Sequence, residues 1–281
     1  MIISQAFLLY EKDKKIQGYS PKTLTAYRLQ ANLLIRYFGD VDINTITYEK
    51  LKDYLSKDYE RLKPSSIGHR VRFLKSLYRW ALDEGYIDIN PASKLKEPKE
   101  GSKIPKLLTR EEVEILKSAC KKPIEHALIR ILYATGSRIG EIHKLNKNDI
   151  DFENRVIVVN GKSDKERKVF FNAECKIWIH NYLKFRNDDC EALFVTERNP
   201  KRRSSIAQLR YVVKRVAKRA GMNISVYPHR FRHSLASHMF EKGAPLDFVQ
   251  HILGHTKSDI TKRFYIHTNT EMSRQLYDRF Y

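Results

Sequence analysis

Cysteine is scarce in this chain. There are three, Cys120, Cys175 and Cys190, an odd number without the paired spacing of metal ligands. That excludes a disulfide-stapled secreted fold and points to a reducing interior. Long apolar runs are missing too: no stretch approaches the ~18 residues that a membrane-spanning helix requires. The opening Met1-Ile2-Ile3 carries no basic leader and soon meets Glu11, Lys12 and Asp13, so no export signal is legible and a cytoplasmic location is expected. Internal repeats and low-complexity tracts are absent. The histidines are not accompanied by a carboxylate-rich cluster, which speaks against a metal-dependent nuclease.

What the chain has in excess is positive charge. Its 53 Lys and Arg outnumber 33 Asp and Glu, for a formal net charge of +20 over 281 residues. Such a surplus, in a chain whose hydrophobic content is an ordinary 42%, points to a polyanionic partner. Both parts share it: 20 Lys and Arg against 13 acids through residue 106, and 33 against 20 beyond it. A clamp that holds DNA from two sides would be charged in this way.

The length suffices for two domains, each with its own core. Residues 1–95 read as helical. Ser20-Pro21 is a capping side chain followed by a first-turn proline, and Leu24, Tyr27, Ala31, Leu34 and Phe38 form one apolar stripe that ends at Gly39. Ile67, Val71, Leu74, Tyr78 and Ala81 repeat the pattern before Gly85. On that second helix Arg72, Lys75 and Arg79 make a basic stripe, a candidate for DNA phosphate contact. Residues 96–106 carry Pro98, Gly101, Ser102 and Pro105 among charged residues, which is linker composition. Thr109, with Glu112 three residues on, opens a new helix as a capping box, so a second domain is expected over 107–281. There, Ile124–Ala134 reads as a buried helix closed by Gly136. Val156–Asn160 and Lys168–Asn172 read as strands flanking the polar turn 161–166, and everything beyond reads as helical. The fold class is mainly α with a small antiparallel sheet.

The residues with chemical content are few and grouped. A phosphodiester in transfer gathers negative charge on its non-bridging oxygens, and paired guanidiniums answer that charge with parallel hydrogen bonds and no metal. Arg138, in Thr135-Gly136-Ser137-Arg138-Ile139-Gly140-Glu141, and Arg232, in Pro228-His229-Arg230-Phe231-Arg232-His233, are the candidates. His229 and His255 add donors. A phenol attacking phosphorus starts from an unperturbed pKa of ~10 and needs such surroundings to lose its proton. The departing 5′-oxygen needs an acid, and Lys162 sits on a turn from which it could reach one.

In their joint order these segments resemble the tyrosine recombinases, also called the phage-integrase family. Residues 134–141 look like the first arginine box. Gly161-Lys162-Ser163-Asp164-Lys165-Glu166-Arg167 is similar to the hairpin that carries the catalytic lysine. His229 to Arg232 matches the His-x-x-Arg box, Leu253-Gly254-His255 the Leu-Gly-His signature, and Tyr265-Ile266-His267 the Tyr-x-His around the nucleophile. Tyr19-Ser20-Pro21-Lys22-Thr23-Leu24 and Tyr27 are like the family's core-binding domain, so the resemblance spans nearly the whole chain, in an Xer-like layout with no arm-binding domain ahead of residue 1. It implies a helical core-binding domain followed by a mixed α/β catalytic domain. It implies that Arg138 and Arg232 clamp the scissile phosphate, Lys162 (with Lys165 as its rival) is the general acid, and His229 and His255 assist, His229 also being able to accept the tyrosine's proton. Tyr265 would form a 3′-phosphotyrosyl link, and Glu141 would brace Arg138. Neither metal, ATP nor another cofactor is implied. The implied partners are double-stranded DNA bearing a recombination site and three further copies of the chain in a tetramer on two sites, with an accessory protein or paralogous recombinase left open and no membrane. Met272, Leu276 and Phe280 give 270–281 one apolar face, suited to docking on a neighbouring subunit. A type IB topoisomerase and a non-catalytic DNA-binding protein are the competing readings.

Overall fold

Helices α1 (Ile3–Ile16), α2 (Pro21–Phe38), α3 (Tyr48–Ser56) and α4 (Pro64–Asp83) build the first part of the chain in the computed structural model, which describes residues 1–99, 106–161 and 166–254. The chain divides into two compact units, Met1–Lys103 and Ile104–Tyr281. In α2 the Ser20 hydroxyl accepts the Thr23 N–H at 3.2 Å, Pro21 occupies the first turn, and the Gly39 N–H closes on the Ile35 carbonyl at 2.8 Å. Those are the start and stop signals of the sequence. α4 buries Ile67, Val71, Leu74, Tyr78 and Ala81, and also Phe73, Leu77 and Trp80, so its inward face is wider than one stripe. The core is aromatic at its centre: Tyr10 meets Trp80 edge-on at 5.6 Å between ring centroids, and Tyr27 lies 5.7 Å from Phe73. Arg72, Lys75 and Arg79 are exposed along the other face of α4. Two of them are already paired, Arg72 with Glu97 and Arg79 with Asp83 at 2.9 Å.

The second unit is organised around α6 (Pro123–Thr135). It is buried on nearly every side through Ile124, Ala127, Leu128, Ile129, Ile131 and Leu132, as a helix apolar all round must be. Packed about it are α5 (Arg110–Ser118), α8 (Ala173–Phe185), α9 (Ile206–Arg219) and α10 (Pro228–Glu241). α7 (Ile139–Lys144) follows α6 directly, and α11 (Leu246–Leu253) packs on α10. The Thr109 capping box forms in full: its hydroxyl accepts the Glu112 N–H at 3.1 Å, and the Glu112 carboxylate accepts the Thr109 N–H at 2.9 Å.

A three-stranded antiparallel sheet lies beside these helices in the order β1 (Ile150–Asp151), β2 (Val156–Asn160), β3 (Glu166–Phe170). Val156 pairs with Phe170 and Asn160 with Glu166; Ile157, Val159 and Val169 face the core. The sequence placed the last strand at 168–172, two residues late. Its end is fixed by Asn172, whose side chain accepts the Cys175 N–H at 2.9 Å and so caps α8 instead of extending the sheet.

The expectation of helix throughout the remainder fails over 186–205. Beyond Phe194 the chain bonds to itself, Thr196 N–H to the Arg202 carbonyl at 2.8 Å and Ser204 N–H to the Phe194 carbonyl at 2.9 Å; ahead of that, the Arg186 side chain takes the place of a backbone ladder. Its guanidinium donates to the carbonyls of Cys190, Ala192 and Leu193 at 2.7, 2.6 and 2.9 Å, and pairs with Asp188. A single long side chain thus satisfies the carbonyls that irregular chain would otherwise leave unmet.

Candidate active site

Four helix ends and one strand converge on the residues that the motifs singled out. Gly136 terminates α6 in the left-handed conformation, φ +57°. A Cβ there would stand 2.7 Å from Leu253 Cδ2 and 2.9 Å from Leu235 Cδ2, so both conformation and space require glycine. The turn it makes sends the chain straight into Arg138, the residue that precedes α7. Gly254 ends α11 in the same way, φ +63°, and a Cβ on it would meet Arg167 Cδ and Nε at 2.9 Å.

Arg138 is anchored from two directions. Its Nη1 donates to Glu141 Oε1 at 3.0 Å and its Nη2 to the Gly254 carbonyl at 3.1 Å, while its own N–H donates to Glu141 Oε2 at 2.8 Å. About a third of the side chain stays open to solvent, 34%. Arg232 is buried on the second turn of α10. Its Nη1 donates to the Gly136 carbonyl at 2.8 Å and its Nη2 to the Leu253 carbonyl. Burial, together with the positive charge of Arg138, pushes the Arg232 guanidinium down to about 9, which leaves it cationic at neutral pH.

Glu141 is the carboxylate at the centre. Burial alone would raise its pKa, but the hydrogen bonds and charge of Arg167, and then those of Arg138, hold it below the ordinary carboxylate value. It is therefore an ionised brace. His229 lies three residues before Arg232, on the same side of α10. Partial loss of solvent and the charges of Arg232, Arg138 and Arg210 push its imidazole below the usual histidine range. At neutral pH it is an uncharged ring that can accept a proton.

The carbonyls that end α11 tie the cluster together. Ile252 O accepts from Arg167 Nε at 3.2 Å, Leu253 O from Arg232, and Gly254 O from Arg138. A helix C-terminus presents unsatisfied carbonyls and the negative end of the helix dipole, so it attracts cations without neutralising them. Three guanidiniums gathered on this helix end, with one carboxylate bonded to two of them, leave a surplus of positive charge, suited to an oxyanion with charge on several oxygens. Of the residues expected at the site, the structure brings together Arg138, Glu141, His229 and Arg232. Lys162, its rival Lys165, His255, Tyr265 and the apolar face over 270–281 lie outside the described residues. Among the described residues no group of three or more His, Cys, Asp or Glu could hold a metal ion. Sequence reasoning left Arg167 without a role, although it sits in the hairpin segment quoted for the lysine. Arg72, Lys75 and Arg79 belong to the other unit.

The fold has solved counterparts. A crystal structure of XerA recombinase is similar at TM-score 0.57 and 25% identity, covering 97% of this chain and 98% of that one. The Tn1549 transposon integrase, solved in complex with transposon right-end DNA, matches at TM-score 0.78 and 22% identity over 98% and 100% of the two chains. Residues 106–272 match the phage integrase family, and residues 9–85 match its N-terminal SAM-like domain. The chain belongs to the phage integrase family.

It is a tyrosine recombinase, an enzyme that breaks and rejoins DNA at specific sites through a tyrosine intermediate. Its sequence is 32% identical to the tyrosine recombinase XerC of Staphylococcus aureus over 98% of this chain and 95% of that protein. The recombinase is Xer-like. No described helix is long and apolar enough to cross a membrane.

Proposed function

We propose that this recombinase acts on duplex DNA through a clamp of Arg138 and Arg232 on the scissile phosphate. Tyr265 attacks the phosphorus as its proton passes to a base, for which His229 is suited. A 3′-phosphotyrosyl ester forms, the bond to the 5′-oxygen breaks, and Lys162 or its rival Lys165 supplies that oxygen's proton. Attack by a 5′-hydroxyl from the partner duplex reverses the step and releases the tyrosine. The ester retains the energy of the diester, so the exchange requires no external energy source. His255 assists at the phosphate, and Glu141 braces Arg138. The observation that carries this reading is the seating of both arginines on adjacent carbonyls, with their charges intact.

Four copies on two DNA sites, exchanging strands in pairs through a Holliday junction, is the assembly this chemistry serves, with the apolar face over 270–281 docked on a neighbouring copy. Residues 1–95 would grip the DNA through Arg72, Lys75 and Arg79, residues 96–106 would link the units, and 107–281 would carry the chemistry. Free cysteines fit a cytoplasmic setting. An accessory protein or a second recombinase is a further partner to test for. Covalent trapping tests the core of the reading: protein in EDTA is incubated with nicked suicide duplexes bearing candidate sites and resolved on a denaturing gel. A denaturant-resistant protein–DNA band that is missing in Tyr265→Phe supports it. An identified tight-binding site that yields no such band would overturn it.

A further inference from the structure

Arg167 is held by protein at every guanidinium nitrogen. From β3, where it pairs with Val159, its side chain reaches Glu141 with both terminal nitrogens, Nη1 to Oε1 at 2.9 Å and Nη2 to Oε2 at 2.8 Å. Its Nε donates to the Ile252 carbonyl at 3.2 Å, and its stem fills the space where a Cβ on Gly254 would stand. Only 11% of the side chain is exposed. All three guanidinium nitrogens face protein, so Arg167 is placed to hold the site and not the substrate. The two groups it holds, Glu141 and the end of α11, are the same two that anchor the Arg138 side chain.

We propose that Arg167 is a positioning residue of the phosphate clamp, fixing Glu141 and the α11 terminus so that Arg138 keeps its outward guanidinium edge aimed at the scissile phosphate. The proposal rests on the reading that Arg138 grips that phosphate. Glu141 is shared between two arginines. Arg167 engages both of its oxygens in the planar fork geometry that guanidinium and carboxylate prefer, which leaves the Arg138 guanidinium a single contact, on Oε1. Without Arg167, Glu141 and the α11 terminus lose the side chain that ties them together, so the two anchors of Arg138 can shift relative to each other and take its guanidinium off the line to the substrate. Lysine cannot restore the arrangement, because one ammonium cannot span two carboxylate oxygens and the Ile252 carbonyl in a fixed plane.

The test is single-turnover cleavage of a suicide duplex at saturating protein, comparing wild type, Arg167→Ala, Arg167→Lys and Arg138→Ala across pH, with folding checked by circular dichroism and DNA affinity measured separately. Arg167→Ala should cleave roughly 10²-fold more slowly with little change in DNA affinity, the scale expected when a catalytic group is displaced by about an ångström. Arg167→Lys should fall between that variant and wild type. The pH profile separates positioning from mere scaffolding. In Arg167→Ala, Glu141 keeps the burial that raises its pKa and loses its strongest opposing partner. The groups facing it are then Arg138, Arg232 and His229, and a loss of rate should set in at a higher pH than any decline in wild type, as acid protonates Glu141 and frees Arg138 from it. Adding Glu141→Gln to Arg167→Ala should abolish that extra limb. A wild-type rate in folded Arg167→Lys overturns the proposal, as does an impaired Arg167→Ala whose pH profile parallels wild type. If Arg138→Ala itself cleaves normally, the clamp reading has failed; if only Arg138→Ala is impaired, the positioning role alone has failed.

Discussion

Arg138 and Arg232 donate to the carbonyls of adjacent residues, Gly254 and Leu253. Neighbouring Cα atoms are ~3.8 Å apart, so the two guanidiniums are confined to one small patch of the α11 terminus. The choice of partner matters as much as the spacing. A carboxylate on each arginine would cancel the charge that the phosphate must meet, whereas a carbonyl dipole orients a guanidinium and leaves its charge in place. One carboxylate, Glu141, is retained, and two arginines share it.

Arg232→Lys should cut cleavage by on the order of 10²–10³, the scale of losing one preorganised donor to a developing oxyanion. Lysine cannot bridge the Gly136 and Leu253 carbonyls and still offer the phosphate a second parallel bond. DNA affinity at fixed salt should change little, because many other cations contribute to it. Suicide-substrate cleavage beside a gel-shift titration decides the matter; a rate within threefold of wild type would remove Arg232 from the clamp.

Gly136→Ala should destabilise the protein by more than the roughly 1–2 kcal/mol of a left-handed alanine, since the new methyl also strikes Leu253 and Leu235. Gly140→Ala is the control from the same motif. Gly140 lies within α7, and a Cβ there meets nothing within 4 Å. That variant should be neutral or more stable by up to about 1 kcal/mol. Urea unfolding of the two variants measures the difference, and equal stabilities would contradict the packing described.

Glu125 is fully buried at the start of α6. Burial opposes its ionisation, yet Arg219, the N–H groups of Lys121 and Lys122, and Arg215 together bring its pKa down to about 2 from 4.5. The folded state then binds the proton less readily than the unfolded chain does. Its stabilisation is complete above pH 4.5 and is lost as pH falls from 4.5 through about 2. Glu125→Gln should cost roughly 3 kcal/mol at neutral pH and flatten that acid limb. Unfolding free energies measured from pH 7 to pH 2 would show an unchanged limb if the ionised pair were unimportant.

Lys75 should contribute more to DNA binding than the arginines beside it. Arg72 and Arg79 each have a carboxylate partner, Glu97 and Asp83, that a phosphate must displace, and no ion pair joins Lys75 to any described carboxylate. Lys75→Ala should reduce the slope of log K against log salt by about 0.9, the release expected for one phosphate contact. Arg79→Ala should change it less. Titrations at several salt concentrations would contradict this if the two slopes shifted equally.

Much of the fold was legible because its signals are local. Ser20 with Thr23, Thr109 with Glu112, and glycines at the ends of α2 and α6 act between residues three or four apart, so the chain order displays them. The positive surplus and the order of the motifs likewise pointed to DNA before any geometry was known. Tertiary structure decided the rest, because the deciding contacts join residues far apart in sequence. Arg167 meets Glu141 across 26 positions and Ile252 across 85. No periodicity announces such pairs; they arise where packing leaves buried donors facing unmet acceptors. The same principle ended β3 early, when Asn172 capped a helix, and kept 190–193 irregular, where Arg186 supplied the missing hydrogen bonds. The sequence alone named Arg138 and Arg232 for the clamp. Their seating on two neighbouring carbonyls exists only once α6, α7, α10 and α11 have packed, because main-chain acceptors carry no residue name by which a sequence could reveal them.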